Sequence, residues 1–295
     1  MKIFGKTMVV RLGMATMLSA AMSALVVHAQ QLGWEGSTGV FITPLAYTIA
    51  TPEKEKIAKP VVGYHFLHGG DVLGTFSQIS VSSGALNRVE FGYTRTIHSA
   101  GSNATLSPLW GDGFNTFHGK VALVKENAAK TKWVPQVSGG FVVRSQVRNV
   151  GGQLTKKDTV NGDVYLVASK TITQLKVVPV LVTGGVRGSN AQLFGLGGNA
   201  PEWGALGFGS VAFVLKGPAK STVILAAEAS QQPNRIKDLP GAVMPTALVY
   251  AVRVLPSAKL PLNVDFGMLQ GPGRIAPGVD LGARSRPAFA VSYKF

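Results

Sequence analysis

The sequence has 295 residues, 46% of them hydrophobic and only 15% charged, with no cysteine, which excludes a disulfide framework, a zinc–thiolate site and a cysteine nucleophile. Lys and Arg number 29 against 14 Asp and Glu, a net charge of +15 that favours phosphate-bearing partners, either nucleic acid or anionic lipid.

Residues 1–29 open with Lys2, Lys6 and Arg11, continue with the uncharged run GMATMLSAAMSALVV (13–27), and end on His28 and Ala29. A basic start, a short apolar core and the compact pair Val27 and Ala29 form the layout of a cleaved secretory signal peptide. Export removes nucleic acid as a partner and leaves anionic lipid. Residues 30–59 are expected to be a lead-in or plug segment, within which STGVFITPL (37–45) also reads as one further strand. The remainder, 60–295, carries the repeating pattern.

That pattern consists of segments of roughly 8–12 residues, rich in Val, Phe, Tyr, Thr and Gly, separated by loops of Gly, Pro, Asn, Asp and Lys. In order they are 60–68, 75–83, 88–98, 114–125, 133–149, 159–172, 176–188, 204–217, 221–230, 245–255, 262–270 and 284–295. About twelve strands are expected, within a range of about 10–14. No apolar run after residue 30 reaches the roughly 18 residues that a spanning helix requires.

Alternation within the segments separates two faces. Phe117, Val121 and Leu123 oppose His118 and Lys120; Phe141, Val143 and Val147 oppose Arg144 and Arg148. Leu225 and Ala227 oppose Glu228, Tyr250 and Val252 oppose Arg253, and Phe266 and Met268 oppose Asp265. A soluble sandwich or barrel would turn the apolar face inward, whereas a membrane barrel turns it to lipid and keeps a polar lumen. Soluble strands are most often about 5–6 residues long and tilted membrane strands about 9–11, so the lengths select the membrane barrel. The fold class is therefore all-β: a transmembrane antiparallel barrel over 60–295.

The last strand adds a second signal. Phe289, Val291, Tyr293 and Phe295 share one face, and Ala288, Ala290, Ser292 and Lys294 share the other. This resembles the C-terminal strand of bacterial outer-membrane barrels, in which a terminal Phe closes the barrel and is read by the barrel assembly machinery. The resemblance implies the outer membrane of a Gram-negative bacterium, with outer-membrane lipid and lipopolysaccharide as neighbours. EGSTGVFITPLA (35–46), KWVPQVSGGF (132–141), DVYLVASKT (163–171) and VRGSNAQLFGLGGNAPEW (186–203) resemble, in order, the blocks of a proteobacterial envelope family of unknown function. That resemblance implies a barrel and brings no catalytic residue.

The other motifs carry little chemistry. GLGGNA (195–200) follows no buried parallel strand and opens no helix, so it reads as a glycine-rich loop over the mouth or into the lumen. His65 and His68 stand three apart on a strand, on opposite faces, which does not suit a shared metal. No G-x-S-x-G is present, and no catalytic, metal or cofactor site is expected. The expected lumen charges are Glu90, His118, Lys120, Arg144, Arg148, Asp163, Arg187, Glu228, Arg253 and Asp265, with bases in excess. An open lumen lined this way would select a small anionic or amphipathic solute, making the protein a narrow pore or transporter. If the charges pair instead, they fill a structural or interaction barrel with no transport. Lysines in the loops, such as Lys125, Lys130 and Lys132, can meet lipid phosphates whichever holds.

Overall fold

The structure, a computed structural model, describes residues 31–103, 110–111, 113–145, 160–174, 178–193, 197–232, 241, 244–257 and 260–295. The signal-peptide reading of 1–29 and the lumen reading of Arg148 lie outside the described residues. The strands are β1 (Val61–His68), β2 (Thr75–Ala85), β3 (Val89–Ser99), β4 (Phe114–Val124), β5 (Gln136–Ser145), β6 (Asn161–Ile172) and β7 (Val180–Leu193). They continue with β8 (Gly197–Lys216), β9 (Thr222–Ser230), β10 (Ala247–Leu255), β11 (Leu262–Gln270), the small pair β12 (Arg274–Ala276) and β13 (Val279–Asp280), and β14 (Ser285–Lys294).

Twelve of these strands form one closed antiparallel barrel, each paired with its neighbours in sequence, and β12–β13 is a separate ribbon between β11 and β14. The seam closes between first and last strands, with Val61 opposite Lys294 and Leu67 opposite Ala288. Closure leaves no free sheet edge, which lets strands satisfy their backbone groups where lipid supplies no partner. Among the described residues no helix is long and apolar enough to cross a membrane.

The two-residue period governs which side chains face out. Phe91, Phe117, Phe141, Val164, Tyr250 and Phe266 are exposed, while their strand neighbours Glu90, His118, Val142, Asp163, Ala251 and Asp265 are buried. A soluble barrel would show the reverse. On β14, Ala288, Ala290 and Ser292 face in, and Tyr293 and Phe295 lie outside with ring centroids 5.2 Å apart. Phe289 packs on Phe266 of the next strand at 5.3 Å. An arginine at Phe266, in the middle of β11 on this face, is expected to destabilise the barrel by about 2–4 kcal/mol, its guanidinium being driven into hydrocarbon. Urea unfolding in lipid vesicles measures it, and an unchanged midpoint would mean that this face does not meet lipid.

Two sequence expectations are corrected. The described part of the glycine-rich loop belongs to a strand: β8 begins at Gly197, and Leu193 and Ala191 pair with Gly197 and Asn199 beyond a register shift near Ser189. Residues 37–45 form no wall strand, because Gly39 and Pro44 limit them to bends and the isolated bridges Leu32–Thr38 and Gly39–Pro44.

The two rims differ. At one rim β2 and β3, β4 and β5, β6 and β7, β8 and β9, and β10 and β11 are joined in sequence, and residues 52–60 lead into β1. At the other the remaining neighbours are joined, by stretches of sequence that are on the whole longer.

Candidate functional site

Glu90 on β3, His118 and Lys120 on β4, Arg144 on β5, Asp163 on β6, Arg187 on β7, Glu228 on β9, Arg253 on β10 and Asp265 on β11 all point inward and are buried. Nine charged or ionisable groups in a dry interior require partners. Residues 31–50 supply many of them. This segment hydrogen-bonds to inward side chains of strands from β1 round to β14, so it lies inside the barrel.

Four anchors hold it. Lys120 Nζ lies 3.0 Å from Glu90 Oε1, and it donates to the Leu45 carbonyl at 3.0 Å and to the Thr38 hydroxyl. Glu90 in turn accepts from the Thr38 and Ile49 backbone N–H groups at 2.8 and 3.0 Å. Glu35, carried in by the segment, meets Arg144, whose Nε donates to it at 2.7 Å. Arg144 also donates to Asn161 at 3.0 Å and Asp163 at 2.6 Å, and Arg187 reaches the same Asp163 oxygen at 3.1 Å. Arg253 grips Asp265 through two nitrogens, both at 2.9 Å, and donates to the Val40 carbonyl at 2.6 Å. The Gln31 amide completes Asp265 at 3.1 Å.

The fourth anchor uses no cation. Glu228 accepts from the backbone N–H groups of Phe41, Ile42 and Thr43 at 3.3, 2.7 and 2.9 Å, and from the Thr43 hydroxyl at 2.6 Å. Successive N–H groups converging on one carboxylate form an anion-binding concavity, here turned round a wall side chain. Gly36 is left-handed, with φ +84°, and a Cβ there would strike the Thr94 hydroxyl, so only glycine fits at that bend. His118 packs against Gly36 and Gly92. At the segment's far end Tyr47 bonds Glu126 and Thr171 at 2.9 and 3.0 Å, and burial together with the Glu126 carboxylate pushes its phenol pKa up.

The basic surplus expected of the lumen meets an acid that the segment itself carries. Among the described interior groups Lys120, Arg144, Arg187 and Arg253 stand against Glu35, Glu90, Asp163, Glu228 and Asp265. The segment brings an acid of its own, so the described interior groups nearly balance. The HxxH pair does not converge: His65 bonds the Leu32 carbonyl inside the barrel, and His68 accepts from the Gly70 N–H. Among the described residues no group of acids and histidines could hold a metal.

Sequence reasoning missed Glu35, Thr38 and Thr43, which have no periodic neighbours to mark them, and Arg286. Arg286 stands at the start of β14 beside an apolar cavity of about 60 Å³ at the rim of longer connections. Trp34, Phe41, Leu67, Leu73, Phe76 and Leu269 supply much of its wall. The guanidinium lies over Gly70, where a side chain would collide with it, and one terminal nitrogen donates to the Gly282 carbonyl. Its Nε is buried with no acceptor, and among the described residues no carboxylate lies within ion-pair distance of it. Two further cavities, about 20 Å³ beside Val40 and about 10 Å³ beside Glu35, are too small for more than a water or two.

No family model matches the chain. No curated protein matches it by sequence. Among solved structures the chain is similar to the KdgM porin, with a TM-score of 0.45 and 11% identity over 80% of this chain and 99% of that one. It is similar also to the NanC porin, with a TM-score of 0.47 and 9% identity over 79% and 98% of the two chains. The translocator domain of the autotransporter NalP from Neisseria meningitidis gives a TM-score of 0.40 and 14% identity over 81% and 87%.

Proposed function

We propose that this protein is a conduit in the outer membrane of a Gram-negative bacterium for a small anionic or amphipathic solute, with residues 31–51 as its plug. One observation carries the reading: in each hydrogen bond described between residues 31–50 and the wall, the wall's partner is a side chain. The plug can therefore shift without opening any rung of the barrel ladder. Twelve strands enclose a lumen between the filled eight-stranded tubes and the roughly 16-stranded open channels, so moving the plug is what would clear a path. The rim of shorter turns faces the periplasm under this reading, and the longer connections face outward beside lipopolysaccharide. The terminal Phe295 stripe is the surface offered to the barrel assembly machinery. Residues 35–46, one of the blocks that resemble the proteobacterial envelope family, coincide with the plug's anchored bend, so membership of that family and the plug are read together.

A second reading, a structural barrel without transport, is favoured by the pairing of the interior charges and by the small cavities. Reconstitution separates the two. The full chain in planar bilayers and liposomes is expected to give small, intermittent conductance and uptake of short organic anions. Silence in both assays, with the plug anchors intact and also with them weakened, would establish the structural barrel.

A further inference from the structure

The cavity at the outer rim has an unusual composition for the inside of a polar barrel. Its wall is hydrocarbon from Trp34, Phe41, Leu67, Leu73, Phe76 and Leu269, and Arg286 stands at its edge. We infer that this cavity is a binding site for an amphipathic organic monoanion, the apolar tail seated among these side chains and the carboxylate held by Arg286. The inference rests on the conduit reading and names the class of solute that first meets the plug.

The charge of the head group follows from Arg286. A guanidinium carries five N–H donors in a planar fork matched to a carboxylate, and it cannot shed its charge by deprotonation. Here one donor goes to the Gly282 carbonyl, Nε is sealed from water without an acceptor, and no protein carboxylate of the described residues is in reach. The interior arginines Arg144 and Arg253 show the contrast, since each has a carboxylate at 2.6–2.9 Å. An anion arriving from outside would supply the acceptor that the described residues leave out.

The size of the tail follows from the volume. About 60 Å³ is open to the centres of water-sized groups, room for roughly four to six of them. That suits a short alkyl chain or one ring and excludes the acyl chains of a membrane lipid. A sugar would find few hydrogen-bonding groups on this wall. The position follows from Phe41, which lines the cavity and whose backbone N–H also bonds Glu228. An occupant thus presses directly on the bend that the Glu228 anchor holds.

Calorimetry on the full chain in lipid nanodiscs, with hexanoate, 1-hexanol and hexylammonium as probes, tests the site. Hexanoate is expected to bind about tenfold or more tightly than hexanol, the advantage of a charge-assisted contact, and hexylammonium not at all. Arg286→Gln should bring hexanoate down to the affinity of hexanol. Ala247→Phe, which fills the cavity from β10, should abolish both. Equal affinities of the wild-type protein for hexanoate and hexanol would overturn the proposal without any variant, as would a hexanoate preference that survives Arg286→Gln. Flux measured on the same preparations keeps the two readings apart: hexanoate binding without flux counts against the conduit alone, and flux without hexanoate binding counts against the site alone.

Discussion

Replacing Glu228 with alanine is expected to raise the open probability of the reconstituted barrel several-fold while leaving the wall intact. Glu228 is the only partner described for the backbone N–H groups of Phe41, Ile42 and Thr43, and it is buried. Removing it strands three donors in a dry interior, at about 1–3 kcal/mol each until water replaces the lost acceptor. Water reaches them most directly if the bend at 39–44 moves, and the small cavity lined by Ile42, Thr43 and Pro44 adjoins them. Arg253 would still hold the Gly39 and Val40 carbonyls, so the plug should loosen without leaving. Glu228→Gln keeps one acceptor oxygen and should fall between the two. Single-channel recording reads the effect, and heat-modifiable gel migration checks that the barrel still closes. An Ala variant as quiet as the wild type would mean that the Glu228 anchor does not restrain passage.

Arg144→Met is expected to have the largest effect on stability. Arg144 is fully buried and binds Glu35, Asn161 and Asp163 at once, so its loss leaves two carboxylates sharing Arg187. Removing one partner from a buried ion cluster costs about 3–5 kcal/mol, because the remaining charge is left without compensation. A second change, Glu35→Gln, removes one of those carboxylates and leaves Asp163 paired with Arg187. The double variant should therefore be more stable than Arg144→Met alone, a non-additivity that urea unfolding in vesicles can measure as a coupling between plug and wall. Strict additivity would show that Glu35 does not contribute to the cluster.

These two sites show what the sequence makes legible. The wall was readable because strand alternation is local: Phe117 and Val121 on one side of His118 and Lys120 need no knowledge of the rest of the chain. Closure was readable for the same reason, from the Phe289 to Phe295 stripe. The partners inside were not. Glu228 stands opposite Val249 and Ser210, with no cation at its register, and its true partners are backbone N–H groups, which every residue but proline carries and which leave no mark in a sequence. Glu35 sits in a stretch of glycine and threonine with no period, so nothing tied it to Arg144, 109 positions away. Total charge does not say which acids the fold brings inside, so the basic surplus gave no sign of Glu35 among the interior groups.

The barrel ladder closes by pairing wall strands with one another, and toward residues 31–50 its inward side chains do the gripping. Wall and plug are thus a socket and an insert, written in separate parts of the chain and joined through a few positions. Exchanging the insert calls for matched changes at Glu90, Lys120, Arg144, Glu228 and Arg253, and for none in the register of the strands. A single scaffold of this kind can accommodate different occupants, and with them different solutes, by revising those few contacts.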